Sequence, residues 1–252
     1  AYLYFNDYVY GFLKIKMNKI NKNNHDFYLS MTEPCPYLAN RDEKKIFLIM
    51  NDINKSNEYE FLIKNGFRRS HNILYNQVCT SCNLCRSIRI NVKKFTLSKN
   101  NKRILNKNKN LFIKKLSDSP TEEQFILFKK YLKFKHHDSE MNEMSFDDYC
   151  KMFNPPGIIT KIYEYYYQDK LVGCVISDFL EGALSMVYSF YSDSFLKNSL
   201  GKYIIIDHFR LAKEINKKYV YLGYWVEGSN KMDYKNNFNS SEVLIDNEWI
   251  TV

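Results

Sequence analysis

No run of apolar residues in this 252-residue chain approaches the roughly 18 in succession that a membrane-spanning helix requires, so no helical membrane span is expected. The first residues, Ala1-Tyr-Leu-Tyr-Phe-Asn6, carry no basic stretch ahead of their apolar ones, which argues against an export signal. Also missing is the dense cysteine framework of a small secreted domain. Six cysteines are spread over a long chain, three of them in Cys79-Thr-Ser-Cys82-Asn-Leu-Cys85, and a reducing compartment, the cytoplasm, is the expectation. What the chain does have is 45% hydrophobic and 16% aromatic residues, enough for a substantial core and too many for disorder throughout. Its formal charge of +9 accompanies many Asn, Lys and Ile residues, a bias shared with AT-rich coding sequence, so basicity alone points only softly to nucleic acid.

The opening third is irregular, with an Asn/Lys-rich run at Asn18 to Asn24 and a Pro34-Cys-Pro36 step that forbids regular helix. From Glu43, the apolar residues Ile46, Phe47, Ile49 and Met50, then Tyr59, Phe61, Leu62 and Ile63, recur at near-helical spacing until Gly66, which predicts two short helices. Between Lys93 and Lys115 lie nine Lys or Arg residues and no acid, interspersed with apolar positions. A solvated helix or linker face is the plain reading of such a block, and an all-positive stretch that would otherwise repel itself also suits a polyanion. Ser119-Pro-Thr-Glu122 has the form of a capping box and predicts a helix from Pro120 to His136; Ser145-Phe-Asp-Asp148 predicts a second, ended by Pro155-Pro156-Gly157.

Thereafter the period becomes strand-like. Ile162 to Tyr167, Leu171 to Asp178 and Ala183 to Tyr191 are rich in β-branched and aromatic residues, with turns at Gln168-Asp169-Lys170 and Glu181-Gly182. Leu200 to Lys217 reads as a helix, Tyr219 to Val226 as a strand, and Val243 to Ile250 as a hairpin turning at Asp246-Asn247. The expected fold is α+β: a smaller Cys-containing, basic N-terminal region (1–115), then a GNAT-like acyltransferase region (116–252) with a mixed, mainly antiparallel sheet. An acyl-coenzyme A cradle is poorly supported. The loop that would hold the pyrophosphate, Ser192 to Gly201, has a single glycine.

Five blocks carry something more specific: Cys35-Pro-Tyr-Leu38, Gly66-Phe-Arg-Arg-Ser-His71, Ser185-Met-Val-Tyr-Ser-Phe-Tyr191, Leu200-Gly-Lys-Tyr203, and Tyr221-Leu-Gly-Tyr-Trp225 followed by Lys231-Met-Asp-Tyr-Lys235. In these the chain resembles the bacterial aspartate/glutamate leucyltransferases and, more weakly, the eukaryotic arginyl-tRNA–protein transferases. The resemblance runs in order from about Phe27 to Trp249. It implies transfer of an aminoacyl group from Leu-tRNA, or Arg-tRNA, to an N-terminal Asp or Glu, which marks the acceptor for regulated proteolysis. The implied partners are an aminoacyl-tRNA and proteins with acidic N-termini, without a membrane; the oligomeric state is open.

The implied reaction is aminolysis of an already activated ester. The protein must position both reactants, keep the attacking amine unprotonated and stabilise an oxyanion, and no cofactor is required for transfer. Asp178, at the end of a predicted strand, is a candidate to bind the acceptor ammonium and accept its proton, with a strand-end cap as the alternative. Tyr188 is a candidate donor to the oxyanion or the leaving oxygen. Its spacing of three from Tyr191 predicts opposite faces, so only one is expected in the cleft. Arg41, Arg68, Arg69 and Arg89, with Arg68-Arg69 as the leading pair, are candidates for the acceptor carboxylate, or for surface ion pairs or phosphates. Tyr191 and Tyr224 are further substrate-binding candidates. Lys102, Arg103 and Lys107, with Lys231 and Lys235, are candidates for tRNA phosphates. Cys79, Cys82 and Cys85, completed by Cys35, could hold zinc or an iron–sulfur cluster, against free thiols in a tight loop. Cys150 and Cys174 are expected to be buried. Two other readings are a GNAT N-acetyltransferase and a non-catalytic RNA-binding module indifferent to aminoacylation.

Overall fold

The segment from Lys45 to Ile49, expected as helix, is a strand. Five apolar-rich residues fit either period, and here three in succession, Ile46, Phe47 and Leu48, are buried because the strand is central in its sheet. The computed structural model describes residues 13–15, 26–50, 56–137, 140–229 and 231–252; the Asn18 to Asn24 run lies outside them. The small sheet contains β1 (Leu13–Ile15), β2 (Phe27–Leu29), β5 (Lys45–Ile49), β6 (Arg68–Ser70) and β7 (Ile73–Gln77), in the order β1-β2-β5-β7-β6. A two-residue ribbon, β3 (Glu33–Pro34) with β4 (Asp42–Glu43), precedes β5. Between β5 and β6 runs α1 (Ser56–Lys64), the second expected helix, which Gly66 ends with φ +94°.

The larger sheet has eight strands: β8 (Cys85–Asn91), β9 (Ile113–Ser117), β10 (Ile159–Tyr167), β11 (Lys170–Phe179), β12 (Ala183–Tyr191), β13 (Tyr219–Val226), β14 (Ser241–Ile245) and β15 (Glu248–Thr251). Their order is β15-β14-β8-β13-β12-β11-β10-β9. The expected border at 115 is therefore corrected. Strand β8, well inside 1–115, lies between β14 and β13 in the large sheet, so only residues through Gln77 build the small one. The basic block forms α2 (Lys99–Asn108), capped by Ser98, and the start of β9.

The three-strand meander β10-β11-β12 is antiparallel as expected, and its first turn places Gln168 and Asp169 at φ +46° and +61°, the left-handed pair that such a hairpin requires. Helix α3 (Glu122–Lys135) follows the expected span, but its capping box is formed by Thr121 with Gln124, not by Ser119 with Glu122. The short α4 (Phe146–Lys151) is capped by Ser145 with Asp148 as read from the sequence. Alternation on β11 divides the core. Val175 packs with α2 and α5 (Leu200–Glu214), whereas Cys174 and Ile176 pack with α3 and α4 on the other face. Fully buried aromatics such as Phe128 anchor that second face, and truncation of one to Ala costs about 3–5 kcal/mol. A third cluster, containing Tyr59, Leu62, Phe67 and Tyr221, joins the small sheet to the large one. The order of helices, three antiparallel strands, a helix and a strand parallel to the third is the one expected of an acyltransferase of the GNAT type.

Candidate active site

Parallel strands β12 and β13 pair at only three positions, Ala183 with Tyr219, Leu184 with Val220 and Ser185 with Tyr221. Beyond these each strand follows its other neighbour. A register shift bends β12 at Ile176/Ser177 of β11, and a second irregularity bends β13 between Tyr221 and Tyr224, where Gly223 takes φ +83°. The resulting cleft, about 2140 Å³, is floored by the parted strands and walled by β6, α3, the start of α5 and the turn from Lys231 to Lys235.

Consecutive arginines on β6 meet this region in opposite ways. Arg69 is closed off: its Nε and Nη2 donate to Asp178 Oδ2 and Oδ1 at 2.7 and 2.8 Å, and its Nη1 to the carbonyls of His71 and Met152. Asp178 also accepts from Tyr59 Oη at 2.5 Å and Thr160 Oγ1 at 2.7 Å, and none of its surface is exposed. Burial opposes the Arg69 charge and Asp178 more than offsets this, so Arg69 is held above its ordinary pKa; burial and then Asp178 push the Tyr59 phenol well up. The expectation that Asp178 faces the cleft as a proton acceptor is corrected, because four protein donor groups already occupy its carboxylate.

Arg68 is just as buried and much less satisfied. Its Nη1 donates to the carbonyls of Phe67 at 2.6 Å and Ile63 at 3.3 Å, while Nε and Nη2 have no hydrogen-bond partner among the described residues. The guanidinium lies over the rings of Tyr221 and Tyr224, 5.3 and 5.6 Å from their centroids, and lines the cleft. Burial lowers its pKa. The Tyr224 hydroxyl is held below it by Gly66 O and Asn76 Oδ1, each at 3.0 Å.

Both Tyr188 and Tyr191 line the cleft, so the one-face expectation fails. They still lie on opposite faces of β12, but the sheet has parted, and the Tyr131 ring on α3 touches both at 6.4 and 5.2 Å. Tyr191 packs on the first turn of α5: a Cβ on Gly201 would lie 2.5 Å from its ring. The helix starts from Ser199 at φ +54° without a side-chain cap, and its first turn faces the same opening.

The other candidates divide by position. Arg89 is engaged elsewhere, bonded to Glu242 at 2.8 Å and stacked on Tyr219 and Trp249; it is not among the cleft residues, and neither is the exposed Arg41. Lys102, Arg103 and Lys107 are exposed on α2, and Lys231 is exposed on the rim. Lys235 is instead buried, at 8% exposure, which corrects its assignment to a surface phosphate. Its Nζ donates to Tyr224 O at 2.7 Å, and burial and then Arg68 draw its pKa down to about 7. Tyr131 and Tyr75, also in the wall, are not singled out by the sequence, and nothing local distinguishes them among 21 tyrosines.

Cys35, Cys79, Cys82 and Cys85 line a separate cavity of about 210 Å³, all as free thiols. Burial, followed by the other three sulfurs, pushes Cys85 up to about 12. Among the described residues no group of three or more His, Cys, Asp or Glu has the geometry to hold a metal, so the thiols share a cavity without converging as ligands. Cys174 is buried as expected, and Cys150 is half-buried. Among the described residues no helix is long and apolar enough to cross a membrane.

Similarity to known proteins extends along most of the chain. Residues 33–103 match the N-terminal and 123–245 the C-terminal family model of arginine-tRNA-protein transferase. The chain is 39% identical to the aspartate/glutamate leucyltransferase of Ruegeria pomeroyi, over 88% of this chain and 82% of that one. It is 41% identical to that of a Jannaschia species, over 88% and 79%, and 36% identical to that of Nitrobacter hamburgensis, over 94% and 95%. Among solved structures, FemX aligns over 88% of this chain and 81% of its own with a TM-score of 0.46 and 6% identity. Tied by sequence to these relatives along most of its length, the chain belongs to the aspartate/glutamate leucyltransferases of the arginine-tRNA-protein transferase family.

Proposed function

We propose that the protein moves leucine from Leu-tRNA to the α-amine of proteins that begin with Asp or Glu, in the cytoplasm, marking them for proteolysis. The observation that carries this reading is Arg68, a guanidinium that lines a cleft large enough for both substrates and has two buried nitrogens unpartnered among the described residues. A planar carboxylate is the ligand that such a guanidinium fits best.

In the proposed reaction the acceptor amine attacks the ester carbonyl, the C–N bond forms, the ribose oxygen departs, and the proton lost by the amine ends on that oxygen. Arg68 anchors the acceptor's acidic side chain so that the amine is presented at a fixed reach. Tyr188 donates to the oxyanion or the leaving oxygen, and Tyr191 and Tyr131 flank the acyl group. Asp178, Arg69 and Arg89 are proposed to hold the walls rather than to touch substrate. The leucyl side chain lies between the parted strands against Met186 and Leu222. Arginine suits this space less well: the lining acids are Glu33 at the exposed rim, Glu43 bonded to Lys45, and Asp147 and Asp148 tied to Lys151.

The tRNA is proposed to cross the exposed basic face of α2, with Lys102, Arg103 and Lys107, and to enter past Lys231. That helix is fastened to the cleft wall, since Lys107 Nζ and Asn108 Nδ2 donate to the carbonyls of Lys197 and Asn198, immediately before Ser199. Transfer is proposed to need no cofactor. Zinc or an iron–sulfur cluster on the four cysteines would require the thiols to draw together, and metal analysis of anaerobically prepared protein against Cys82→Ser tests that point.

Labelled Leu-tRNA and Arg-tRNA, each offered with peptides beginning with Asp, Glu or Ala, test the function. Leucine appearing on the Asp and Glu peptides alone is the expected result. Arginine transfer would correct the donor, and no transfer from either would sink the reading in favour of acetyl transfer or bare RNA binding.

A further inference from the structure

Lys235 has no task in the reaction above, yet it is buried close enough to Arg68, the incompletely bonded arginine of the cleft wall, to feel its charge. Its only described hydrogen bond goes to the Tyr224 carbonyl. The charged and titratable groups around it are Arg68 from β6, Tyr224 from β13 and the Tyr234 ring of its own turn, 5.9 Å away, with Tyr75, Tyr221 and the Asp178-bound Tyr59 beyond Arg68; among the described residues no acid carboxylate interacts with Lys235 directly. Gly223 lies against Nζ, where a Cβ would make only an ordinary contact at 3.6 Å, so its φ of +83° rather than space around the amine accounts for the glycine. Two cationic side chains buried together without an acid among the described residues are costly unless something else supplies the negative charge.

We propose that Lys235 is the second half of the site that reads the acceptor's acidic side chain, and that it takes up a proton as the carboxylate settles between it and Arg68. This rests on the function proposed above. Above pH 7 the charge balance favours it: the empty site holds the Arg68 cation beside an amine that is mostly neutral, and the filled site holds two cations and one carboxylate, so the buried net charge is unchanged. The proton comes from solvent and no covalent bond forms. The pKa of about 7 at Lys235 means that the amine is only partly protonated in the empty cleft, and a carboxylate beside it would raise that value. An amide side chain, as in Asn or Gln, offers no charge to hold the proton.

Calorimetric titration of an Asp-initiated peptide in two buffers of different ionisation heat, between pH 6 and 9, measures the coupling. The wild-type protein is expected to take up close to one proton more per peptide than Lys235→Arg near pH 8. Its affinity is expected to fall up to about tenfold per pH unit faster than that of the variant above pH 7, because the proton must be added as free protons become scarce. The peptide's own amine titrates in both proteins and cancels. Equal proton counts and equal slopes in the two proteins overturn the inference. The wild-type protein alone gives a second measure: close to one proton more taken up with the Asp peptide than with the same peptide beginning with Asn supports the coupling, and equal counts with both overturn it. Leucine transfer onto the same Asp peptide separates the two levels. Transfer without extra proton uptake removes only the role of Lys235, whereas no transfer removes the function on which it rests.

Discussion

Arg68 and Arg69 are neighbours on one short strand, equally hidden from solvent, and their surroundings could hardly differ more. Around Arg69 every donor has an acceptor, and the partner, Asp178, has its own lone pairs filled by Tyr59 and Thr160. Around Arg68, which lines the cleft, two buried donors have no acceptor among the described residues, and the Lys235 amine, whose pKa Arg68 helps to lower, lies close enough to feel its charge. Alternation along the strand sends successive side chains to opposite faces, and each face has its own neighbours. The lesson is that burial alone does not say what a charge is for. A saturated buried ion belongs to the scaffold, whereas an unsaturated one lining a cleft is where the docking point is proposed.

Removing the saturated partner should do most damage. Asp178→Ala leaves the Arg69 charge buried and unpaired, and a loss of about 3–5 kcal/mol, roughly 10 °C or more in Tm, is expected by thermal or urea denaturation. An unchanged Tm would dissolve the contrast between the two arginines. Arg68→Met should do the reverse: Tm unchanged or raised, since an uncompensated charge leaves the interior, and kcat/KM on an Asp peptide reduced about 100-fold or more, near 3 kcal/mol. A variant that kept its activity would take the acceptor site away from Arg68.

Smaller effects sharpen the geometry around the pair. Gly201→Ala improves helix propensity by up to about 1 kcal/mol and drives a methyl into the Tyr191 ring at a cost of about 1–3 kcal/mol. A modest drop in Tm is expected, turning to a gain in a Tyr191→Leu background; additive effects in the four proteins would show that the ring does not set the helix start. Smallest is the α2 surface. Lys102→Gln with Arg103→Gln should leave Tm in place, weaken tRNA binding evenly across tRNA sequences and flatten its salt dependence by ~1 in log–log slope for each phosphate no longer neutralised. An unchanged slope would remove α2 from the tRNA path.

Which parts were legible in the sequence follows from the range of the forces involved. The caps at Ser145 and in the Ser119 to Gln124 stretch, and the turn at Gln168-Asp169, are written in residues three or four apart, and the helices and hairpins came out where those signals lie, with the α3 cap displaced to Thr121. The five-residue run of β5 is too short for its period to show. Arg68-Arg69 stood out as a pair, but their opposite roles did not, because Asp178 is 109 residues from Arg69 and nothing local links them. Tyr188 and Tyr191 were judged on a regular strand, and it is the irregular, parted one that admits both to the cleft.

Strand β8 bears on how the chain reaches this structure. It emerges from the ribosome well before its sheet neighbours, β13 and β14, which begin 128 and 150 residues later, counting from Asn91 to Tyr219 and Ser241. A growing chain therefore carries an unpaired strand with buried-type residues Ile88 and Ile90 until both neighbours have been made. Closure of the large sheet must wait for them, and the half-made chain is the species that chaperones would have to shelter.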